Sequence, residues 1–220
     1  MAGRSFRVLL RSSRMFENPD TLAELTRLAR KQLRGRARSV RAAYPEAALL
    51  ERSRLIVERV VALPEFDAAE SIALFWPLPR EVDLREIDKA ARSHGKRVYY
   101  PVMDRHATGV RTGMALSAET AELAERGSRF AEPPPSAPRA ERGDIDLVFV
   151  PALAVALNGH RLGYGAGFYD ATLPDFCPPA KSVVVAYDFQ LLAELPHLAH
   201  DVACDWIVTD RRLEAAVASG

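Results

Sequence analysis

The sequence predicts a single α/β domain in which helices flank a mostly parallel central sheet, with a helical extension at the N-terminus. Segments with helical periodicity alternate with short hydrophobic runs along the chain, a pattern typical of strands joined by crossover helices. The 220 residues, 48% hydrophobic and 27% charged, suit one globular domain. We place this domain at residues 21–212, after a basic, flexible extension (1–20) and before a short C-terminal tail (213–220).

Helical and strand-like segments follow one another through the first half of the chain. Asp20 and Thr21 can cap a helix that runs through a basic stretch at 27–41. Apolar residues recur at near-helical spacing over 45–63 and again from Asp83 to Gly95. The predicted strands of this half are 71–76 and 97–102, with 111–116 as a candidate third.

A proline-rich segment separates the two halves of the predicted domain. Residues 131–143 contain four prolines and scattered charges, which is the composition of an exposed loop. The most strand-like segment of the chain, 145–153, follows it directly. A glycine-rich turn and a short helix over 168–173 come next, and two further strands are predicted at 181–187 and 205–209.

The composition excludes several classes of protein. Thirty Lys and Arg residues against 29 Asp and Glu leave a net charge of +1, so no global field attracts nucleic acid or an anionic membrane. The apolar runs fall far short of the ~20 residues that a membrane helix needs. Two cysteines exclude a disulfide scaffold and a multi-cysteine zinc site, and they fit a reducing compartment.

Three alternating glycines, Gly163, Gly165 and Gly167, join a predicted strand to the short helix. Glycine permits positive φ and lets backbone N–H groups approach a ligand, and the helix N-terminus adds partial positive charge. Arg161 contributes a planar fork suited to phosphate oxygens. The spacing matches neither G-x-x-x-x-G-K-[ST] nor G-x-G-x-x-G. Two interpretations stay open: a polyphosphate cradle, or a tight strand-to-helix turn with close packing.

Asp170 follows the last of these glycines by three residues, in the first turn of the short helix. A carboxylate there could hold Mg²⁺ beside phosphates, because Mg²⁺ takes one or two protein carboxylates and keeps several waters. On position alone, stabilisation of the helix dipole is the simpler interpretation.

The segment Arg161 to Asp170 (RLGYGAGFYD) resembles the specific motif of the 5-formyltetrahydrofolate cyclo-ligase family, also called methenyltetrahydrofolate synthetase. Weaker matches are the strand 146–153, the element Glu81-Val82-Asp83, and the basic run 30–34 (RKQLR). Together they cover about residues 21–210 in the family's order. The resemblance implies an ATP- and Mg²⁺-dependent ligase that converts 5-formyltetrahydrofolate to 5,10-methenyltetrahydrofolate and releases ADP and phosphate. In the family's mechanism the formyl oxygen is phosphorylated, and N10 then closes the ring.

The same resemblance implies roles for individual residues. Those implied to bind ATP are Arg30, Lys31, Arg34, Arg161, Leu162, Gly163, Tyr164, Gly165, Ala166, Gly167, Phe168 and Tyr169. Asp170 and Asp201 would hold Mg²⁺. Glu81 would bind the pterin, because a carboxylate suits the paired N–H donors of an aminopyrimidine edge. Trp76 and Tyr164 are candidate walls for the flat ring system.

The chain departs from the family pattern within the glycine segment. Many members have Lys and others Gly where this chain has Ala166, so no lysine reaches the phosphates from the loop. Val155-Ala156 stands where the family often has Phe-Asp, and Ala171 stands where Arg frequently follows. A divergent, non-catalytic nucleotide- or folate-binding paralogue is therefore the alternative function.

Two basic segments leave further alternatives open. The stretch 27–41 could be a solvated helix face, a contact for ATP, or an RNA-binding surface, although no aromatic-rich reading surface accompanies it. The segment 1–16 carries four arginines and no acid, which resembles a mitochondrial transit peptide. We expect a cytoplasmic monomer that binds small molecules and neither nucleic acid nor membrane. A mitochondrial location is the alternative if residues 1–16 are a transit peptide.

Overall fold

The structure, a computed structural model, describes residues 19–106, 109–127 and 130–217. The strands are β1 Ser71–Ala73, β2 Arg97–His106, β3 Gly109–Leu116, β4 Ala124–Glu125, β5 Ala131–Glu132, β6 Leu147–Pro151, β7 Ala154–Ala156, β8 Arg161–Leu162, β9 Lys181–Val185, β10 Leu191–Leu192, β11 Trp206–Val208 and β12 Leu213–Ala215. The helices are α1 Pro19–Ala43, α2 Glu46–Val61, α3 Pro64–Ala68, α4 Arg85–Ser93 and α5 Phe168–Phe176. Short 3₁₀ turns lie at Thr120–Glu122 and Asp188–Gln190.

A seven-stranded sheet in the order β12-β11-β9-β6-β1-β2-β3 forms the centre of the fold. The five inner strands run parallel, and only the edge strands β3 and β12 are antiparallel to their neighbours. Ile72 pairs with Val98 on one side and Leu147 on the other, so β1 is an inner strand. Parallel strands covered on both faces are continuously hydrophobic. The predicted mostly parallel α/β fold is confirmed.

Successive residues of each inner strand contribute to two hydrophobic cores, one on each face of the sheet. Ile72 and Leu147 pack into the core that α2 and α4 cover, whereas their neighbours Ala73 and Val148 pack into the core beneath α5. This alternation is the period of two expected when both faces are buried.

The predicted strand 71–76 ends earlier than expected, at Ala73, and Pro77 and Pro79 lack the N–H that a ladder requires. Of the predicted strand 145–153 only Leu147–Pro151 forms a strand, β6, and β7 follows it as a separate strand outside the prediction. Between these two strands, the Gln190 side chain donates hydrogen bonds to the carbonyls of Ala152 and Leu153 at 3.0 and 2.9 Å.

Several strands lie outside the predicted strand segments. Residues 131–132 of the proline-rich loop form β5 against β4, and residues 213–215 of the expected tail form β12 against β11. A separate three-stranded sheet, β10-β7-β8, carries the glycine segment at its end. Over the described residues we find no helix combining the length and hydrophobicity that a membrane span requires. The candidate transit peptide, 1–16, lies outside the described residues.

Candidate functional site

A cavity of about 920 Å³ opens beyond the carboxyl ends of β1 and β6, the edge at which open α/β sheets bind ligands. Phe75 and Trp76 follow β1 into its wall, and Pro151 closes β6 there. The predicted site residues that line it are Arg30, Arg34, Trp76, Glu81, Arg161, Gly163, Tyr164, Gly165, Ala166, Gly167, Phe168, Tyr169, Asp170 and Asp201. Lys31 and Leu162 are the exceptions, because Lys31 is exposed on α1 and the Leu162 side chain is buried in a small core cluster.

One face of α1 supplies positive charge to this cavity. Arg27, Arg30 and Arg34 line it at spacings of three and four residues, which align on one side of a helix. Lys31, one position further round, falls outside this face. Sequence reasoning did not select Arg27, although the same spacing rule would have identified it.

The glycine segment forms a second wall, held against α1. Gly165 adopts a φ of +103°, and a Cβ placed there would lie 3.4 Å from the guanidinium carbon of Arg34. Arg34 in turn donates a hydrogen bond to the carbonyl of Gly163 at 3.0 Å. Gly167, with a φ of +70°, begins α5, so the N–H groups of that helix's first turn face the cavity region.

Arg161 binds protein groups on the floor of the cavity. Its Nη2 donates to Asp170 Oδ1 at 2.9 Å, its Nη1 donates to the carbonyl of Val202 at 2.5 Å, and its side chain is 4% exposed. The side chain therefore orients Asp170 and the segment after Asp201. Its direct contact with phosphate stays a prediction.

Arg30 and Asp201 form a second buried ion pair beside the first. Arg30 Nη1 lies 2.5 Å from Asp201 Oδ2, and the N–H of Leu198 donates to the same oxygen at 2.7 Å. Burial opposes ionisation of Asp201, but the Leu198 N–H and Arg30 outweigh it and lower the pKa of this carboxyl. Asp201 is therefore held as a carboxylate.

The two carboxylates fit only one kind of metal site. Asp170 Oδ1 accepts hydrogen bonds from Arg161 and from the N–H of Val202, and Asp201 Oδ2 accepts one from Arg30. The second oxygen of each carboxylate is the one that could bind a metal ion. Among the described residues no cluster of three or more metal-ligating side chains occurs. These donors suit a Mg²⁺ held chiefly by phosphates and water, and they do not suit an ion enclosed by protein.

Glu81 also lines the cavity, and one of its carboxylate oxygens lacks a hydrogen bond from the part of the chain that the structure describes. Its Oε2 accepts the N–H of Leu78 at 2.9 Å, while Oε1 is buried with no hydrogen-bond partner among the described residues. The hydroxyl of Tyr169 is also buried and unpartnered within the described chain. Buried polar atoms are rarely left without partners. These two atoms therefore indicate a ligand with hydrogen-bonding groups.

Apolar and aromatic side chains surround this polar pair. Trp76 lines the cavity with its ring tilted against Tyr100 at 6.4 Å between centroids. Tyr164, 37% exposed, lies beneath the guanidinium groups of α1. Lining residues not predicted from the sequence include Phe75, Met103, Phe130, Leu198 and His200. No local pattern distinguishes these residues from ordinary core or loop positions.

Comparison with known proteins gives consistent results over most of the chain. Residues 26–210 match the 5-formyltetrahydrofolate cyclo-ligase family. A 5-formyltetrahydrofolate cyclo-ligase of Mycolicibacterium smegmatis is 40% identical over 121 residues, which span 54% of this chain and 62% of that relative. The mouse protein of the same description is 28% identical over 170 residues, 72% of this chain and 82% of its own length.

A solved structure resembles the whole fold. The NMR structure of 5,10-methenyltetrahydrofolate synthetase from Aquifex aeolicus matches with a TM-score of 0.75 and 27% sequence identity. This match covers 87% of the present chain and 94% of the Aquifex protein. The likeness therefore extends over most of the chain.

Proposed function

The chain belongs to the 5-formyltetrahydrofolate cyclo-ligase family, and on this premise we propose that it converts 5-formyltetrahydrofolate to 5,10-methenyltetrahydrofolate with hydrolysis of ATP to ADP and phosphate. One observation carries the proposal. A single cavity has a cationic, glycine-rich wall suited to a polyphosphate, and it is also lined by a buried carboxylate among aromatic side chains suited to a pterin.

The nucleotide would bind between α1 and the glycine segment. Arg27, Arg30 and Arg34 supply positive charge, and the backbone of 163–167 supplies N–H donors. Ala166 contributes no charge. The arginines of α1 would therefore supply the positive charge that a lysine in the glycine segment supplies in other family members. Arg161 acts indirectly by holding Asp170. Mg²⁺, when bound, would neutralise phosphate oxygens, and Asp170 and Asp201 are the ligands that this chain offers.

The folate would bind at Glu81. Its Oε1, which has no hydrogen bond among the described residues, can accept an N–H from the aminopyrimidine edge, and the Tyr169 hydroxyl can bond a neighbouring ring atom. Trp76 and Tyr164 would lie along the flat ring. This placement would put both substrates in the same cavity.

The chemistry requires ATP because a formamide oxygen is a poor leaving group. The formyl oxygen attacks the γ-phosphorus, and the bond from that phosphorus to the ADP oxygen breaks. N10 then bonds to the formyl carbon, loses its proton, and the carbon–oxygen bond breaks to release phosphate. The protein's work is to align these atoms and neutralise charge.

A second candidate function is binding without catalysis, and Ala166 is the residue that favours it. Such a paralogue would bind nucleotide or folate through the same cavity and release no product. We also propose that the protein acts in the cytoplasm as a monomer.

The test is the absorbance of the methenyl product formed by purified protein with 5-formyltetrahydrofolate and MgATP. We expect product only when ATP is present, and we expect Glu81→Gln to reduce kcat/KM by at least about tenfold, because a neutral amide replaces a charged acceptor of similar shape. Folded protein that binds ATP and forms no product would favour the non-catalytic paralogue. Protein that binds neither ligand would refute both functions.

A further inference from the structure

We propose that Arg41 is a positioning residue for the folate: it favours the ionised form of the buried Glu81 and fixes the Tyr164 hydroxyl beside it. This inference rests on the proposed function, because it concerns the end of the cavity at which the pterin would bind. It assigns a task to an arginine that lies outside the basic run 30–34 and outside the glycine segment.

Arg41 touches both residues from the last turn of α1. Its Nη1 lies 4.0 Å from Glu81 Oε1, the buried oxygen without a hydrogen bond. Its Nη2 donates to the Tyr164 hydroxyl at 2.5 Å, and its guanidinium carbon lies 5.7 Å from the centroid of the Tyr164 ring. The arginine side chain is 9% exposed. A single buried guanidinium therefore joins the helix, the glycine segment and the carboxylate.

The backbone holds this arrangement in register. Arg80, next to Glu81 in sequence, adopts a φ of +68°. Its side chain donates to the carbonyls of Arg41, Ala42 and Tyr44 at the end of α1. The loop that carries Glu81 is thus tied to the helix end that carries Arg41. Several contacts therefore hold the Arg41 guanidinium near the Glu81 carboxylate.

The charge balance at Glu81 depends on Arg41. Burial raises the pKa of Glu81 and outweighs three groups that lower it, the Tyr164 side chain, the Leu78 N–H and Arg41. The other titratable groups that face it are Tyr169, from α5, and Tyr187, whose hydroxyl donates to the Glu81 carbonyl at 2.9 Å. Tyrosines are neutral near pH 7. Among the groups of the described chain that face Glu81, Arg41 is therefore the cation that favours its carboxylate form.

Ionisation matters because the two forms of Glu81 present different groups to a ligand. A carboxylate accepts on both oxygens, whereas a protonated acid becomes a donor on one of them. The aminopyrimidine edge offers N–H donors, so it is bound by the ionised form. As pH falls through the pKa of Glu81, folate affinity should decrease.

The chain offers a matched control in Arg38, one helical turn before Arg41. Its guanidinium carbon lies 5.8 Å from the centroid of the same Tyr164 ring, nearly the separation found for Arg41. Arg38 is exposed, and the described contacts include none between it and Glu81. The two arginines share the ring contact and differ in their approach to the carboxylate.

The experiment compares Arg41→Met, Arg41→Lys and Arg38→Met in the full chain, with dissociation constants for 5-formyltetrahydrofolate and ATP measured as a function of pH. We expect Arg41→Met to weaken folate binding about tenfold near neutral pH. The pH at which folate affinity falls on acidification should rise by about one unit in this variant. ATP affinity should change by less than about threefold, and Arg41→Lys should recover most of the folate affinity. Arg38→Met should leave folate affinity within about twofold.

A second readout is independent of folate. Isotope-edited infrared spectra, with Glu81→Gln as the blank, report the titration of the Glu81 carboxylate in free protein. The titration should move to higher pH in Arg41→Met and stay in place in Arg38→Met. The positioning role would be overturned if Arg41→Met and Arg38→Met shifted the Glu81 titration equally. It would also be overturned if Arg41→Met weakened folate binding without shifting that titration. Wild-type protein that binds no folate would overturn the proposed function, while the spectra would still report whether Arg41 controls Glu81.

Discussion

Two arginine–carboxylate pairs form the floor of the cavity, Arg30 with Asp201 and Arg161 with Asp170. All four side chains are largely removed from water, since the most exposed of them, Asp170, is 25% exposed. Taking such charges out of water is costly, so a pair of this kind adds little net stability. Loss of one partner is far more damaging because it strands the other charge. These pairs therefore act chiefly to orient the carboxylates.

The first prediction concerns Arg161→Met, which keeps a long apolar stem and removes the charge. Asp170 and the Val202 carbonyl would both lose a donor, so we expect unfolding free energy to fall by about 2–3 kcal/mol. Urea denaturation measures this change. In the double variant Arg161→Met/Asp170→Asn the cost should be smaller than the sum of the two single costs. Strictly additive costs would mean that the pair does not interact.

At the scale of elements, the hairpin of β7 and β8 delivers Arg161 and the glycine segment to the cavity. Its turn contains Gly159, with a φ of +79°, where an added Cβ would lie 2.2 Å from the carbonyl oxygen of Cys204. The N–H of Cys204 also donates to the Gly159 carbonyl at 3.0 Å. The hairpin is thereby locked to the segment that precedes β11, and only glycine fits the turn.

The second prediction compares Gly159→Ala with Gly163→Ala. The first change combines a positive φ with a backbone clash, and we expect it to cost about 2–4 kcal/mol of stability. At Gly163 an added Cβ meets no atom within 4 Å, so that variant should stay within about 1 kcal/mol of wild type. Thermal or chemical unfolding of both proteins gives the comparison. Equal stability of the two variants would contradict the tight packing at Gly159.

For the whole molecule, the cavity lies where four parts of the chain converge: α1, the strand ends, the glycine segment and residues 198–201. A ligand in it contacts elements from both ends of the sequence. Binding to the folded state alone must therefore stabilise the entire domain by mass action.

The third prediction follows from this linkage. At about 100 times its dissociation constant, each ligand should add about 2.7 kcal/mol of stability, which raises Tm by roughly 5–10 °C in a protein of this size. In Glu81→Gln we expect the shift with 5-formyltetrahydrofolate to be largely lost and the shift with ATP to be kept. Thermal denaturation with each ligand tests this. Equal folate shifts in both proteins would remove Glu81 from the folate site.

The sequence by itself determined the strands of the central sheet other than β12, and the motif of the site. Hydrophobic runs of a few residues identify buried strands such as 181–185, and the run from Arg161 to Asp170 carries the family resemblance. These features are local, because periodicity and motif spacing depend on neighbours along the chain. Most residues selected in this way do line the cavity.

Only the tertiary structure decided what each charged side chain contacts. Arg30 meets a carboxylate 171 positions away and Arg41 meets a tyrosine 123 positions away, so no spacing rule could pair them. The burial of Leu162 likewise depends on residues such as Leu195 that pack against it from elsewhere in the chain. The physical reason is that burial and ion pairing are properties of surfaces in contact, and those surfaces exist only once the sheet and α1 have come together.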